Sequence, residues 1–366
     1  MPRQGRLFSS AAAVAAAVAL AACTGTHQPT WSWESLGYAS VASSGEYWET
    51  YSGTSIAVGP LDGLPVIAFC ESGVIRVKRY SGGATWVDLG SLGGGTYPWV
   101  TIDRSDNRPI VAFSGSGSVA KWSGGTDWTS LGSAGEGPLT LFTTIALDPT
   151  DGKPVVAFAE DQGSGSKARV KKWSNGTTWI DLGYASTGAA SYVSLAVGSD
   201  GAPVVAYSDV SGGYSTRVVK WSGGTSWIDL GFPSWLEGTD TALVINPSDN
   251  MPLVMNRGGY VYKLSASTTW TSMGTPVPYG RLMSPSMLIR PVDLSPVVAF
   301  IDELNGYQVC VYGWFRGVEW EDMGHPNAGA AGHPSVAIDP PSGLPIVVFT
   351  DGTAGWRAHA MKARFE

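Results

Sequence analysis

The sequence predicts an all-β protein built from seven repeats, and two independent markers give this number. The first marker, Trp-x-x-(Leu/Met)-Gly, begins at Trp33, Trp86, Trp128, Trp179, Trp227, Trp270 and Trp320. The second marker is a proline followed by an apolar run, and it begins at Pro65, Pro109, Pro154, Pro203, Pro252, Pro296 and Pro345. The prolines lie 44 to 49 residues apart. Repeats of this length that are rich in short strands are typical of β-propellers. We therefore predict a seven-bladed β-propeller with four antiparallel strands per blade.

Each repeat contains four candidate strands, which the third repeat illustrates. The apolar run "TTIAL" (143–147) is followed by the turn "DPTDGKP" (148–154), in which Asp and Gly supply the turn chemistry. The continuous run "PVVAF" (154–158) indicates a strand that is buried on both faces, as a sheet between two other sheets requires. "ARVKKW" (168–173) is the third strand. "TTWIDLG" (177–183) alternates apolar and polar residues and therefore suits the outer edge.

The two ends of the chain predict how the ring closes. The chain enters the repeat region at the Trp33 marker, a fourth strand without the preceding three. It ends in "GWRAHAMKARFE" (355–366), a third strand without its fourth. We therefore expect the N-terminal strand to complete the last blade. The repeated tryptophans are expected to pack between adjacent blades, because large aromatic rings bury much apolar area.

The first 30 residues predict export and a lipid anchor. Arg3 and Arg6 precede the apolar run "AAAVAAAVALAA" (11–22), which is too short to span a bilayer but suits a signal peptide. The following "LAAC" (20–23) resembles the lipobox of bacterial lipoprotein precursors. The resemblance implies cleavage before Cys23 and acylation of its thiol. We therefore expect a signal peptide at 1–22, a lipidated Cys23 with a flexible tether at 23–30, and the propeller at 31–366.

The same resemblance implies a location in the bacterial cell envelope. The lipid would be the only membrane contact. We expect the outer membrane if the cell has two membranes, and otherwise the outer face of the cytoplasmic membrane. The net charge of −7 and the lack of a basic stripe argue against nucleic acid as a partner.

The turns before the outer strands resemble a second known pattern. Gly83-Ala84-Thr85-Trp86 and Gly176-Thr177-Thr178-Trp179 are similar to the Gly-x-Thr-Trp half of the Asp-box of sialidase-type propellers. Ser81 and Ser174 stand where that motif has aspartate. The resemblance implies the blade geometry, whereas no arginine triad for a carboxylate substrate can be assigned.

Candidate ligand-binding residues lie on one face of the predicted ring. Loops from each fourth strand to the next first strand share a face with the loops between second and third strands, and both kinds differ among repeats. Their aromatic side chains, predicted to stack on sugar rings, are Trp48, Trp99, Tyr192 and Trp235. Acids that follow or end the second strands, predicted to accept hydroxyl protons, are Glu71, Asp161, Asp209 and Asp302. The alternative is that the aromatics plug the channel and the acids are solvated turn residues.

Catalytic motifs are weak. No Gly-x-Ser-x-Gly, His-Glu-x-x-His or P-loop pattern is present, and no cofactor or metal is predicted. His325 and His333, in one Gly/Ala-rich loop, could instead act as a base or metal ligands. The leading hypothesis is a monomeric, envelope-anchored, non-catalytic module that binds glycan or another envelope polymer. The alternatives are an envelope scaffold that binds proteins, and a glycoside hydrolase or polysaccharide lyase whose catalytic residues are unknown.

Overall fold

A computed structural model describes residues 30–40, 53–115, 117–135, 140–237, 239–277, 281–315 and 317–366. The side chains of residues 140, 141 and 234–237 lie outside this description, as do Cys23 and Trp48 entirely. The described strands form seven antiparallel sheets in which sequential strands pair, which confirms the predicted seven-bladed propeller. No helix in the described part of the chain has the length and apolar character needed to cross a membrane.

The first four blades follow one another along the chain. Blade 1 contains β2 (Thr54–Val58), β3 (Pro65–Glu71), β4 (Val74–Gly82) and β5 (Thr85–Gly94). Blade 2 contains β6 (Thr96–Ile102), β7 (Pro109–Ser114), β8 (Ser118–Gly124) and β9 (Asp127–Ser133). Blade 3 contains β10 (Thr140–Leu147), β11 (Pro154–Asp161), β12 (Ser166–Asn175) and β13 (Thr178–Tyr184). Blade 4 contains β14 (Ala190–Val197), β15 (Pro203–Asp209), β16 (Ser215–Gly223) and β17 (Ser226–Asp229). A short extra strand, β18 (Ser234–Glu237), also pairs with β16.

The remaining three blades complete the ring. Blade 5 contains β19 (Ala242–Asn246), β20 (Met251–Met255), β21 (Val261–Ala266) and β22 (Thr269–Ser272). Blade 6 contains β23 (Leu282–Ile289), β24 (Pro296–Asp302), β25 (Gln308–Phe315) and β26 (Glu319–Asp322). Blade 7 contains β27 (Ala331–Ile338), β28 (Pro345–Asp351), β29 (Arg357–Phe365) and, from the N-terminus, β1 (Trp31–Tyr38). Single 3₁₀ turns follow the second strands of blades 6 and 7, at Glu303–Asn305 and Gly352–Ala354.

The ring closes between β1 and β29, as predicted. Trp31 pairs with Phe365 and Trp33 with Ala363 in an antiparallel register. Next to this ladder the backbone N–H of Thr30 donates to the carbonyl of Glu366 over 3.0 Å. The first strand therefore supplies the missing outer edge of the last blade.

The seven marker tryptophans join each blade to the blade before it. Every indole N–H donates to a backbone carbonyl in, or directly after, the outer strand of the preceding blade, over 2.7 to 2.9 Å. The pairs are Trp33–Met323, Trp86–Leu36, Trp128–Leu89, Trp179–Leu131, Trp227–Leu182, Trp270–Leu230 and Trp320–Met273. The series of bonds continues across the ring closure, because Trp33 of β1 donates to blade 6 and Trp86 of blade 1 donates to β1. The predicted packing of these tryptophans between blades is confirmed.

The core consists of apolar clusters between adjacent sheets. The cluster between blades 2 and 3, for example, contains Val156, Phe158 and Ile110, all essentially buried. In β11 every residue from Pro154 to Glu160 is buried, as the continuous apolar run predicted. Second strands can be buried on both faces because each sheet lies between two others.

The molecule has two different faces. We call the face that holds the fourth-to-first and second-to-third loops the mouth, and the opposite face the base. At the base, ion pairs recur between the turn that joins the first two strands of a blade and the third strand of that blade. Lys172 and Asp148 are 2.5 Å apart, and Lys220 and Asp200 are 2.7 Å apart. Since β1 starts and β29 ends at the base, both ends of the propeller lie there, opposite the mouth.

Candidate functional site

The innermost strands surround the axis of the propeller, and one position on each strand lines its mouth. Every first strand contacts the first strands of the two neighbouring blades. Aligned by their pairing with the second strands, the equivalent residues are Gly53, Tyr97, Phe142, Tyr192, Asp240, Ser284 and His333. We call these seven residues the mouth ring. All of them line one central cavity of about 310 Å³.

The backbone explains why this position faces the axis. The register shifts around the mouth-ring residue in β6, β10, β14, β23 and β27, so each of these strands begins with a bulge. All six non-glycine members have φ between +47° and +54°. That left-handed conformation is uncommon for residues other than glycine. A bulge of this kind re-aims a side chain, and such features are frequent next to functional sites.

Blades 2 to 4 place an aromatic arc on one side of the cavity. The rings of Phe142 and Tyr192 pack with centroids 4.6 Å apart. Trp99, two residues beyond Tyr97, also lines the cavity and is 39% exposed. Burial raises the pKa of Tyr192, so its hydroxyl stays protonated at neutral pH. The arc therefore offers flat apolar faces together with a hydroxyl that can form hydrogen bonds.

Blades 5 to 7 place polar side chains on the other side. Burial raises the pKa of the Asp240 carboxyl, although the Ser284 backbone N–H and the Arg257 charge act against this shift. Arg257 lines the same cavity and donates from Nη2 to Glu303 Oε1. Burial lowers the pKa of His333 to about 4, so the imidazole is neutral at pH 7. The polar arc can thus both donate and accept hydrogen bonds.

Hydrogen bonds between neighbouring blades hold the ring in place. Thr54 Oγ1 donates to the carbonyl of His333 over 2.5 Å, and Thr241 Oγ1 donates to that of Tyr192 over 2.6 Å. Serine hydroxyls two positions after the mouth ring accept from backbone N–H groups of the next blade, as Ser194 Oγ does from Leu243. These bonds fix adjacent inner strands against each other, which preorganises the cavity.

The structure brings together some of the predicted ligand residues. Trp99 and Tyr192 line the central cavity. Trp48 lies outside the described residues, and so does the side chain of Trp235, whose backbone belongs to β18. The structure therefore places two of the four predicted aromatic residues at the cavity.

None of the four predicted acids is among the residues that line this cavity. Glu71 forms an ion pair with Arg76 at 2.8 Å, and Asp209 forms one with Arg217 at 3.3 Å. Asp302 accepts from the Leu304 N–H and caps the 3₁₀ turn, and Asp161 accepts from the Gly163 N–H. These carboxylates have partners within their own blades, and their proposed contact with a ligand stays a prediction.

Sequence reasoning missed Asp240, Arg257 and Ser284, although a usable signal was present for Asp240 and Ser284. Each mouth-ring residue precedes the proline of its second strand by eleven or twelve positions, as Ser284 precedes Pro296. Of the two loop histidines, His333 lines the cavity, whereas His325 Nδ1 lies 3.4 Å from Cys310 Sγ inside the blade. Within the described ranges no group of three His, Cys, Asp or Glu side chains is placed to hold a metal ion.

The fold and the cavity define a class: a seven-bladed β-propeller with an asymmetric cavity at one end of its axis. No protein-family model matches the chain, and no curated protein matches its sequence significantly. Solved structures match its fold. A catalytically inactive variant of virginiamycin B lyase from Staphylococcus aureus with quinupristin has a TM-score of 0.62 at 11% identity, over 91% of this chain and 99% of that one.

A protein of unknown function from Dyadobacter fermentans has a TM-score of 0.54 at 12% identity, over 86% of this chain and 94% of that one. Identities this low show a shared fold and nothing more specific. Function therefore has to be argued from the side chains.

Proposed function

We propose that this chain is a binding module whose non-catalytic ligand site is the cavity at the mouth, and that its ligand is a sugar ring of a glycan. The observation that carries this proposal is the division of the mouth ring into an aromatic arc and a polar arc. Aromatic faces stack on the C–H faces of sugars, while the donors and acceptors on the opposite wall suit their hydroxyl groups. Concave sites lined by apolar groups with a few convergent polar groups are the usual form of a small-ligand site.

The size of the cavity supports a terminal group over an internal stretch of polymer. A volume of about 310 Å³ is near the lower end of the usual range for ligand pockets, about 300–1,000 Å³. All seven blades wall the cavity, so a ligand enters along the axis and end-on. A chain end of a glycan fits this geometry better than a polymer lying across the face.

Envelope anchoring through Cys23 is part of the same proposal. The lipobox-like segment is its support, and the position of Thr30 at the base is compatible with it, because a tether to a membrane then leaves the mouth uncovered. Trp48 and Trp235 remain proposed contributors to the ligand contact.

The other two functions have less support. A glycoside hydrolase needs two carboxyls across a substrate, and Glu71 and Asp209 are each paired with an arginine instead. The lyase named among the similar structures shares the fold, which does not transfer its activity. A scaffold that binds proteins would use the outer surfaces, and no particular patch among the described residues favours it.

A glycan array tests the proposal. The detergent-solubilised full-length protein is screened beside Trp99→Ala and Tyr192→Ala, with Tyr307→Ala as the matched control. Tyr307 is 44% exposed and lies outside the cavity lining. We expect binding to a set of glycans that share a terminal sugar, at least tenfold weaker for the two cavity variants and unchanged for the control. Absence of any glycan binding, or equal binding by all four proteins, would overturn the proposal.

A further inference from the structure

Blade 7 contains a serine, a histidine and an aspartate in sequential contact, and none of the three lines the cavity at the mouth. Ser35 Oγ lies 2.8 Å from His359 Nε2. His359 Nδ1 in turn lies 3.4 Å from Asp351 Oδ2. Ser35 belongs to β1, His359 to β29 and Asp351 to the end of β28, so the closure of the ring assembles the three residues.

The contacts of Asp351 and His359 determine which nitrogen of the imidazole carries the proton and which accepts one from Ser35. Asp351 also accepts from the Tyr38 hydroxyl and the Thr353 N–H, and these contacts together with His359 lower the pKa of its carboxyl to about 2. His359 Nδ1 is buried and makes no hydrogen bond of ordinary geometry, and the 3.4 Å contact with Asp351 Oδ2 is an electrostatic one. An ionised Asp351 at this distance favours the tautomer with the proton on Nδ1. Nε2 then accepts from the Ser35 hydroxyl, whose oxygen accepts from the Gly37 N–H over 3.1 Å.

The same three positions form a charged network in other blades. In blade 4, Arg217 lies opposite Tyr207 as His359 lies opposite Phe349, and it bridges Asp209 and Asp229. Asp229 occupies the same place as Ser35 in the tryptophan marker.

Blade 3 repeats this arrangement. Arg169 bridges Glu160 and Asp181, each at 2.9 Å. An arginine cannot give up its proton and is held there by two carboxylates, so these networks are structural.

Blade 7 differs in two ways that matter chemically. Histidine replaces arginine, and an imidazole, unlike a guanidinium, can accept a proton and return it. Serine replaces the second carboxylate and supplies a hydroxyl in place of a charge. Ser35 is exposed, whereas His359 and Asp351 are 8% and 4% exposed, so the nucleophile faces solvent and its base is protected. The 3.4 Å contact is long, as such contacts often are without substrate.

We propose that Ser35, His359 and Asp351 form a nucleophilic triad that hydrolyses exposed carboxylic esters, separate from the ligand cavity. Ser35 Oγ attacks the ester carbonyl carbon while its proton moves to His359 Nε2, and the tetrahedral adduct expels the alcohol, which takes that proton. Water then attacks the acyl-serine, gives a proton to His359, and releases the carboxylic acid as Ser35 recovers its hydrogen. Asp351 holds the imidazole and stabilises its charged form throughout.

A fluorophosphonate probe and p-nitrophenyl acetate test the proposal on the full-length protein. The matched control is Ser130→Ala, because Ser130 occupies the same marker position in blade 2, also accepts from a glycine N–H, and has Ser118 where blade 7 has His359. We expect the parent and Ser130→Ala to be labelled and to hydrolyse the ester. Ser35→Ala and His359→Gln should lose at least tenfold in both assays. No labelling of the parent, or equal labelling of Ser35→Ala, would refute the triad.

A cysteine in place of Ser35 shows whether His359 activates the residue at this position or only contacts it. The rate at which iodoacetamide alkylates Ser35→Cys is measured as a function of pH, and Ser130→Cys is the control. The rate of the parent protein, which comes from Cys70 and Cys310, is subtracted from both. Around His359 the described residues place Asp351, Tyr38 and Arg357 as the other titratable or charged groups. An imidazole that takes the thiol proton gives Ser35→Cys a reactive thiolate below pH 7. Identical profiles for the two variants would contradict the proposed base.

Discussion

The glycine that ends each tryptophan marker permits a sharp test of how the blades fit together. Gly183 has φ +86°, and a Cβ added there would lie 2.7 Å from the carbonyl oxygen of Thr225 in the next blade. Gly274 has φ +80°, yet nothing lies within 4 Å of its added Cβ. Both backbone N–H groups bond to the side chain two residues earlier, so the two sites differ mainly in the presence of the neighbouring turn.

The magnitudes follow from this difference. An alanine in the left-handed region costs about 1–2 kcal/mol, and both substitutions incur this cost. A methyl group forced into a packed contact adds about 1–3 kcal/mol, and only Gly183→Ala incurs it. We therefore expect Gly274→Ala to lower the free energy of unfolding by about 1–2 kcal/mol and Gly183→Ala by about 2–5 kcal/mol.

Urea unfolding followed by tryptophan fluorescence measures both losses. Equal m-values for the parent and the two variants are required, because a changed slope would indicate a different unfolding transition. Should Gly183→Ala be no less stable than Gly274→Ala, the contact between the Thr225 turn and the preceding blade would not be as tight as described, and the reasoning would fail.

Three further predictions concern other parts of the molecule. Trp227→Phe should lower the free energy of unfolding by about 1–3 kcal/mol, because the Leu182 carbonyl loses its donor; urea unfolding with no loss would contradict this. The pKa of Asp351 is depressed to about 2, so its stabilisation of about 2 kcal/mol is complete above pH 4 and is lost as the pH falls towards 2. Acid unfolding of Asp351→Asn should lack that part of the pH dependence, and an unchanged acid limb would refute it. Cys23→Ala should move the protein from the membrane to the soluble fraction, and membrane retention in cell fractionation would count against the anchor.

The scaffold was predictable because its packing requires the same residue at the same place in every blade. Trp179 and Trp227 fill the same gap and donate the same hydrogen bond, so the sequence repeats them. The proline that opens each second strand repeats for a similar reason, since the apolar run after it lies between two sheets. Blade number, strand order and ring closure all depend on these repeated contacts.

The site was harder to predict because the mouth ring is where the blades differ. Gly53, Asp240 and His333 share a backbone position but no side-chain chemistry, so no repeated letter reveals them. In blade 7, for example, a bulge turns the His333 side chain towards the axis, and its presence depends on pairing between strands. The acids at the ends of the second strands are predicted to contact a ligand, and this stays a prediction; the third strand places arginines next to Glu71 and Asp209.

The junction of β1 with β29 also determines how the molecule would carry mechanical load. A pull on the segment before Thr30, directed away from the base, acts along β1 and therefore across its hydrogen bonds to β29. In that shearing direction the bonds from Trp31 to Tyr38 resist together, whereas a sideways pull would break them one after another. A propeller tethered at this end would keep its ring shut under tension.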